Sequence, residues 1–248
     1  MTQKDGQPKA ASGPICFGVR NDLFGWLHAP QQCSGRPAIV ICNPVGFEFI
    51  RSYRSLRVLA ERLAATGYFV LRFDYRSTGD SAGDEFDQGR VAAMLGSIRE
   101  AVGEITRLAD TERVTLVGFR LGATFAGRVA EERSLDQLVL WAPCDTGALY
   151  VREQQIIASA QKKHLDGVAD GPQQLDGTDA GGFFLTRETQ KELASLDLGG
   201  RPLQSAPPIM LLNRDDLPVA PRLAERLRGS GSDVDVVLSR NFREMMLA

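Results

Sequence analysis

Apolar runs alternate with helix-length amphipathic stretches along this chain, the pattern of a mostly parallel sheet with helices on both faces. Two short runs, 15–19 and 23–28, flank Arg20-Asn21-Asp22 and predict an opening antiparallel hairpin. Residues 38–43 (AIVICN) are continuously apolar up to Asn43, as expected of a strand covered on both faces. Leu56, Leu59, Ala60 and Leu63 recur at helical spacing within 53–66, and Gly67 stands where a helix C-cap would. The alternation continues with a strand at 68–75, a long helix at 88–109, a strand at 114–117, a helix at 123–132 and a strand at 138–142.

The periodicity then breaks. Residues 144–207 open with a helical stretch at 149–163, pass into a Gly/Asp-rich segment at 166–182 with loop composition, and resume a helical pattern at 186–196. A strand at 208–213, a helix at 221–228 and a strand at 234–238 follow. This predicts a loose tail at 1–14, an α/β core made of 15–143 and 208–248, and a cap or lid at 144–207 inserted between two strands. No internal repeat is visible.

A length of 248 residues with 43% hydrophobic content suits one globular domain with a sizeable core. The net charge of -2 gives no basic excess of the kind nucleic-acid binders show. No apolar run approaches the ~20 residues of a membrane span. The polar N-terminus lacks the apolar stretch of a secretory signal. Cys16, Cys33, Cys42 and Cys144 are too scattered for a zinc site or a disulfide framework. The expectation is a cytoplasmic protein with no metal, no cofactor, and neither nucleic acid nor membrane as a partner.

Four features carry candidate chemistry. The first strand of the parallel run leads into Asn43-Pro44-Val45-Gly46-Phe47. The next leads into Phe73-Asp74-Tyr75-Arg76-Ser77-Thr78-Gly79-Asp80-Ser81. Gly118-Phe119-Arg120-Leu121-Gly122 lies between a strand and a helix, and Asn213-Arg214-Asp215-Asp216-Leu217-Pro218 follows the next-to-last strand. Each alone is a weak signal. In this order and spacing they resemble the α/β-hydrolase superfamily over about 15–248. There the first loop supplies an oxyanion-hole N–H, the second is a D-x-R-G-x-G-x-S turn, the third is the G-x-S-x-G nucleophile elbow and the fourth carries the triad acid. The G-F-R-L-G-A elbow and the run from Asn43 to Asp84 are most similar to a serine-aminopeptidase-like subgroup, related to hydrolases found with exosortase and natural-product clusters. The resemblance implies the α/β-hydrolase fold and a relation to ester, thioester or peptide hydrolases.

Serine hydrolysis needs a nucleophile at the elbow, a histidine and an acid to orient it. Here Arg120 holds the nucleophile position, and a guanidinium has no lone pair with which to attack a carbonyl. Thr124 lies further into the helix, and Cys144 reads as a buried small residue. The two histidines are His28, at the end of an early strand, and His164, which reads as a solvated cap residue. In members of the resembled subgroup a histidine lies shortly after a segment like Glu244-Met245-Met246-Leu247. The sequence as given reaches Ala248 without one, so a histidine beyond it and a diverged chain are both open. The triad-acid position falls at Asp216, with Asp215 as the alternative.

Val45, Gly46, Glu48 and Leu121 surround the elbow as candidate ligand-binding residues. Arg120 precedes a helix N-terminus, where a cation is electrostatically unfavourable. It is therefore expected to meet an acid, with Glu48 (placed in the loop after the strand at 38–43) preferred over Asp216, or to hold a ligand anion together with the helix N-terminus. Two functions follow: a hydrolase with an atypical site, or a non-catalytic protein that binds a small acyl or anionic ligand, or a partner, in the old cleft.

Overall fold

The computed structural model describes residues 10–32, 35–164, 176–216, 221–240 and 242–247. The first nine residues of the expected tail, Cys33, residues 166–175 of the Gly/Asp-rich segment, and Leu217 and Pro218 lie outside this set. So does the side chain of His164.

The hairpin forms as β1 (Gly13–Phe17) and β2 (Leu23–His28), with Asn21 in the turn at φ 55°. Asparagine tolerates that left-handed conformation better than most residues. The parallel strands are β3 (Ala38–Cys42), β4 (Val70–Phe73), β5 (Val114–Phe119), β6 (Gln137–Trp141), β9 (Ile209–Arg214) and β10 (Val234–Ser239). One eight-stranded sheet runs β1-β2-β4-β3-β5-β6-β9-β10, antiparallel at β1–β2 and β2–β4 and parallel from β4 onward. Every residue of β3, β4 and β5 is buried, which explains why β3 reads as an unbroken apolar run rather than an alternating one.

Helices cover both faces. Helix α1 (Phe47–Ala65) and helix α7 (Phe242–Leu247) enclose a smaller core with Ile39, Ile41, Val117 and Phe119. Helices α2 (Arg90–Ala109), α3 (Leu121–Ala130) and α6 (Pro221–Gly229) enclose the larger one. The chain passes from β3 to β4 on one side and returns to β5 on the other. The carboxyl end of β3 is therefore a switch point of the kind where open α/β sheets hold their ligands.

Between β6 and β9 the chain leaves the sheet. This excursion carries α4 (Gly147–His164), a hairpin of β7 (Gly177–Asp179) and β8 (Phe184–Thr186), and α5 (Arg187–Ala194). The Thr146–Asp197 bridge and the Gly147 N–H to Leu196 carbonyl bond (2.9 Å) draw its two ends together. Three outcomes differ from the sequence reading. The β7–β8 hairpin falls partly in the segment assigned to loop: Gly181 and Gly182, at φ 72° and 85°, are its turn, and three-residue strands are too short to show alternation. Helix α7 was not expected; at six residues it is too short for periodicity and is held by Phe242 stacking near Phe119 (5.8 Å). Helix α1 begins at Phe47 rather than at residue 53, because Phe47 and Ile50 face outward and break the core-facing stripe. Among the described residues, no helix is long and apolar enough to cross a membrane.

His28 ends β2, buried, where its Nε2 accepts a hydrogen bond from Arg72 Nε (3.3 Å). Burial, reinforced by the Arg72 charge, lowers its pKa to about 4. With the folded pKa below the unfolded one, neutral His28 stabilises the fold above the unfolded value and that contribution drains away as pH falls toward 4. His28→Gln should therefore lose less stability than the parent between neutral pH and about pH 4.5 in urea melts. Identical acid slopes would refute this.

Candidate functional site at the carboxyl edge of the sheet

The elbow is built by close approach. Arg120 connects β5 to α3 at φ 53° and ψ -120°, a strained conformation for a non-glycine residue. Its N–H donates to the Trp141 carbonyl (2.9 Å), and Gly118 and Gly122 flank it. A Cβ on Gly118 would run into the Ala123 backbone, and one on Gly122 into the carbonyls of Cys42 and Asn43. The glycines of the motif are thus required by backbone contacts.

The Arg120 side chain is buried, 5% exposed, and each of its three nitrogens bonds one of this protein's own groups. Its Nε donates to Glu48 Oε1 (2.6 Å), its Nη2 to Glu153 Oε2 (2.5 Å) and its Nη1 to the Ala142 carbonyl (3.3 Å). Glu48 is the expected partner, but it sits in the first turn of α1 and not in a loop. Its carboxylate there suits the positive end of the helix dipole. Glu153 comes from α4, so the arginine ties the elbow both to the core and to the excursion. Burial pushes the Glu48 carboxyl up from its usual range, while Arg120 draws it back. Burial opposes the Arg120 charge, yet Cys144, Glu48 and Glu153 hold its pKa above the ordinary arginine value.

The remaining candidates are dispersed. Asp216, at the triad-acid position, receives both arms of Arg214 at 2.7 Å. Asp215 Oδ1 accepts the Phe242 N–H (3.4 Å). Cys144 is buried and its thiol is pushed well up by burial. Thr124 Oγ1 donates to the Cys144 carbonyl (2.6 Å). Among the described side chains the one histidine is His28, bonded to Arg72 and remote from these groups. No group of three or more His, Cys, Asp or Glu among the described residues is placed to hold a metal.

A cavity of about 360 Å³ opens beside the elbow, at the low end of ligand-pocket volumes. Val45 and Gly46 line it; Arg120, Leu121, Glu48 and Asp216 do not. Its walls are the loops after β3 and β4, the first turn of α1, the start of α2, one face of α4 and the β7–β8 hairpin. Most of the wall is apolar or aromatic: Phe49, Ile50, Phe73, Tyr75, Phe184 and Leu185. Tyr150 Oη donates to the Val45 carbonyl (3.2 Å), bracing the loop from above.

The sequence reading missed Glu153, Tyr150, Gln154 and Arg90. Two signals for them exist. Tyr150, Glu153 and Gln154 share one helix face at i, i+3 and i+4 spacing. Arg90 opens a helix, where a cation opposes the dipole and needs a local reason.

Comparison with known proteins matches this architecture to hydrolases. The Butyrivibrio proteoclasticus protein Est1E with ferulic acid bound superimposes with a TM-score of 0.66 at 17% identity, over 88% of this chain and 86% of that one. The Pyrococcus furiosus esterase gives 0.61 at 16%, over 96% and 84%. Proline iminopeptidase of Mycobacterium smegmatis gives 0.61 at 12%, over 93% and 90%. The chain has the α/β-hydrolase fold. No family profile matches the sequence. Two curated Mycobacterium tuberculosis sequences, each described as an uncharacterized protein, are 32% identical over 122 residues, which is 49% of this chain and 41% of theirs. The match spans less than half the length of those relatives.

Proposed function

We propose that this chain is an α/β-hydrolase superfamily member of the serine-aminopeptidase-like, G-x-R-L-G-A subgroup that does not run Ser–His–acid hydrolysis and instead binds a small acyl or anionic ligand in the cavity beside the elbow. One observation carries the reading: the residue at the nucleophile position is a cation held by Glu48, Glu153 and the Ala142 carbonyl, so it neither attacks nor faces the cavity. The internal pairing also weighs against Arg120 itself as the ligand's anion anchor. The segment 144–207 is read as a cap over the cavity, supported by the wall that α4 and the β7–β8 hairpin contribute. A cytoplasmic location is part of the reading, supported by free thiols at Cys16, Cys42 and Cys144.

A fluorophosphonate probe is expected to leave the purified protein unlabelled. Stoichiometric labelling at Ser77, which lines the cavity, or at Ser81 would sink the proposal by revealing a displaced nucleophile. Arg120→Ser alone should give no turnover of p-nitrophenyl acetate above background. The new serine would lack a general base, a contribution of typically ~10²–10⁴-fold. Robust esterase activity in that variant would show a base in reach of the elbow.

A further inference from the structure

Arg90 is the single cation among the cavity-lining residues. It is 6% exposed and opens α2. Its Nη1 donates to the Phe184 carbonyl (3.1 Å) and its Nη2 to the Ser77 carbonyl (3.2 Å), and Nε is buried with no hydrogen-bond partner. Of five N–H donors, two are used. No carboxylate lies within ion-pair distance of it among the described residues, in contrast to Arg120. Burial opposes the Arg90 charge and the nearby Glu85, Asp87 and Asp84 offset part of that cost without bonding to it, so a carboxylate in the cavity would add a direct partner.

A second polar group lines the same cavity without a partner. Gln154 is 4% exposed, and its amide makes no hydrogen bond among the described residues. It lies one helical turn beyond Tyr150, on the same face of α4. The amide atoms are not among the buried unpartnered ones, so they stay open to the cavity, where a ligand that displaces the water there can bond them.

We propose that the cavity binds a small monocarboxylate with an apolar body, its carboxylate held by Arg90 and Gln154 and its body lying against Phe49, Ile50, Phe73 and Leu185. A planar guanidinium presents N–H groups in the geometry a carboxylate accepts, and the Gln154 amide adds another donor. Two acids also line the cavity and limit the charge of the ligand. Glu85 Oε2 accepts the Phe184 N–H (3.4 Å), and Asp74 Oδ2 accepts the Asp80 N–H (3.0 Å). Beside them a second negative charge on the ligand is disfavoured, which selects monoanions over dicarboxylates. Exposed apolar side chains at the rim, Phe47, Ile50 and Phe86, extend the surface along which an apolar body can lie. This proposal deepens the ligand-binding reading above and rests on it for the site. It is independent of whether the elbow is catalytic, because the fluorophosphonate result decides that separately.

The test is a calorimetric titration of the full chain with octanoate, octanamide and suberate. Octanoate is expected to bind at least about tenfold more tightly than octanamide and suberate. Arg90→Met should lower octanoate affinity about tenfold or more and octanamide affinity by much less, since the amide carries no charge for it to meet. Because Arg90 also holds two carbonyls, Gln154→Leu serves as the second variant. It breaks no hydrogen bond among the described residues, should unfold at the parent temperature, and should still weaken octanoate severalfold. No octanoate binding by the parent, equal affinity for acid and amide, or octanoate affinity unchanged in both variants would each overturn the proposal.

Discussion

Replacing Arg120 with methionine is expected to destabilise the protein by about 3–5 kcal/mol near neutral pH, read from urea unfolding. The reason is what the substitution leaves behind. Arg120 is 6% exposed at its side chain and Glu48 is 20% exposed. Glu48 Oε2 already lacks a hydrogen-bond partner, so without Arg120 its carboxylate loses the main interaction that compensates its burial and keeps only the weaker pull of Arg214 and the helix dipole. Glu153, at 41% exposure, turns to water and contributes little. The loss should depend on pH in a defined direction. Burial already raises the Glu48 pKa, and removing Arg120, which lowers it, raises it further. A carboxyl whose folded pKa lies above its unfolded one favours the fold when protonated and penalises it as pH rises through the folded value. The deficit of Arg120→Met should therefore shrink on acidification toward the ordinary carboxylate range and grow as pH rises. The double variant Arg120→Met/Glu48→Met should recover most of the loss, since replacing both members of a buried pair by apolar residues is often neutral. A loss under about 1 kcal/mol, flat with pH, would show that the pair is solvated and energetically idle.

The Arg120–Glu48 contact could be read from the sequence because it follows from electrostatics and topology together. A cation at a helix N-terminus requires a counter-charge, and the loop after β3 had to lie beside the elbow once the strand order was recognised. The central strand of the sheet was legible for a similar reason: burial on both faces writes itself as a continuous apolar run at 38–42. Glu153 and Gln154 were not legible. Their role depends on how α4 is laid across the sheet, and helix periodicity fixes which residues share a face without fixing what that face meets. The cavity wall at Phe184 and Leu185 was hidden because glycines make a hairpin turn and a loop look alike in composition. At Ser77 the D-x-R-G-x-G-x-S turn places glycine, and the reason became visible only in the structure. The residue sits at φ 64°, and this chain fills the position with a serine whose Oγ donates to Asp87 Oδ2 (3.0 Å).

Gly122→Ala should give the second large effect, a loss at or above the upper end of the ~1–3 kcal/mol typical of overpacking. The change tests whether the motif glycine is held by packing or by inheritance alone. On helix propensity alanine should win, though by less than the ~1 kcal/mol of a helix interior, because Gly122 is the second residue of α3. Any net loss must therefore come from contact. The added Cβ would meet the carbonyls of Cys42 and Asn43, backbone atoms at the end of β3 that cannot rotate aside. Relief requires α3 to move away from β3, and that motion shifts the 43–46 loop, which forms one wall of the cavity. Octanoate affinity should then fall along with stability, although Gly122 does not itself line the cavity. The control is Gly103→Ala in α2, where a Cβ meets nothing within 4 Å. There the propensity gain stands alone, and stability should rise by ~0.5–1 kcal/mol. If Gly122→Ala behaved like Gly103→Ala in urea unfolding, the elbow would have room to spare. The close approach of α3 to β3 would then not be what sets the position of residue 120.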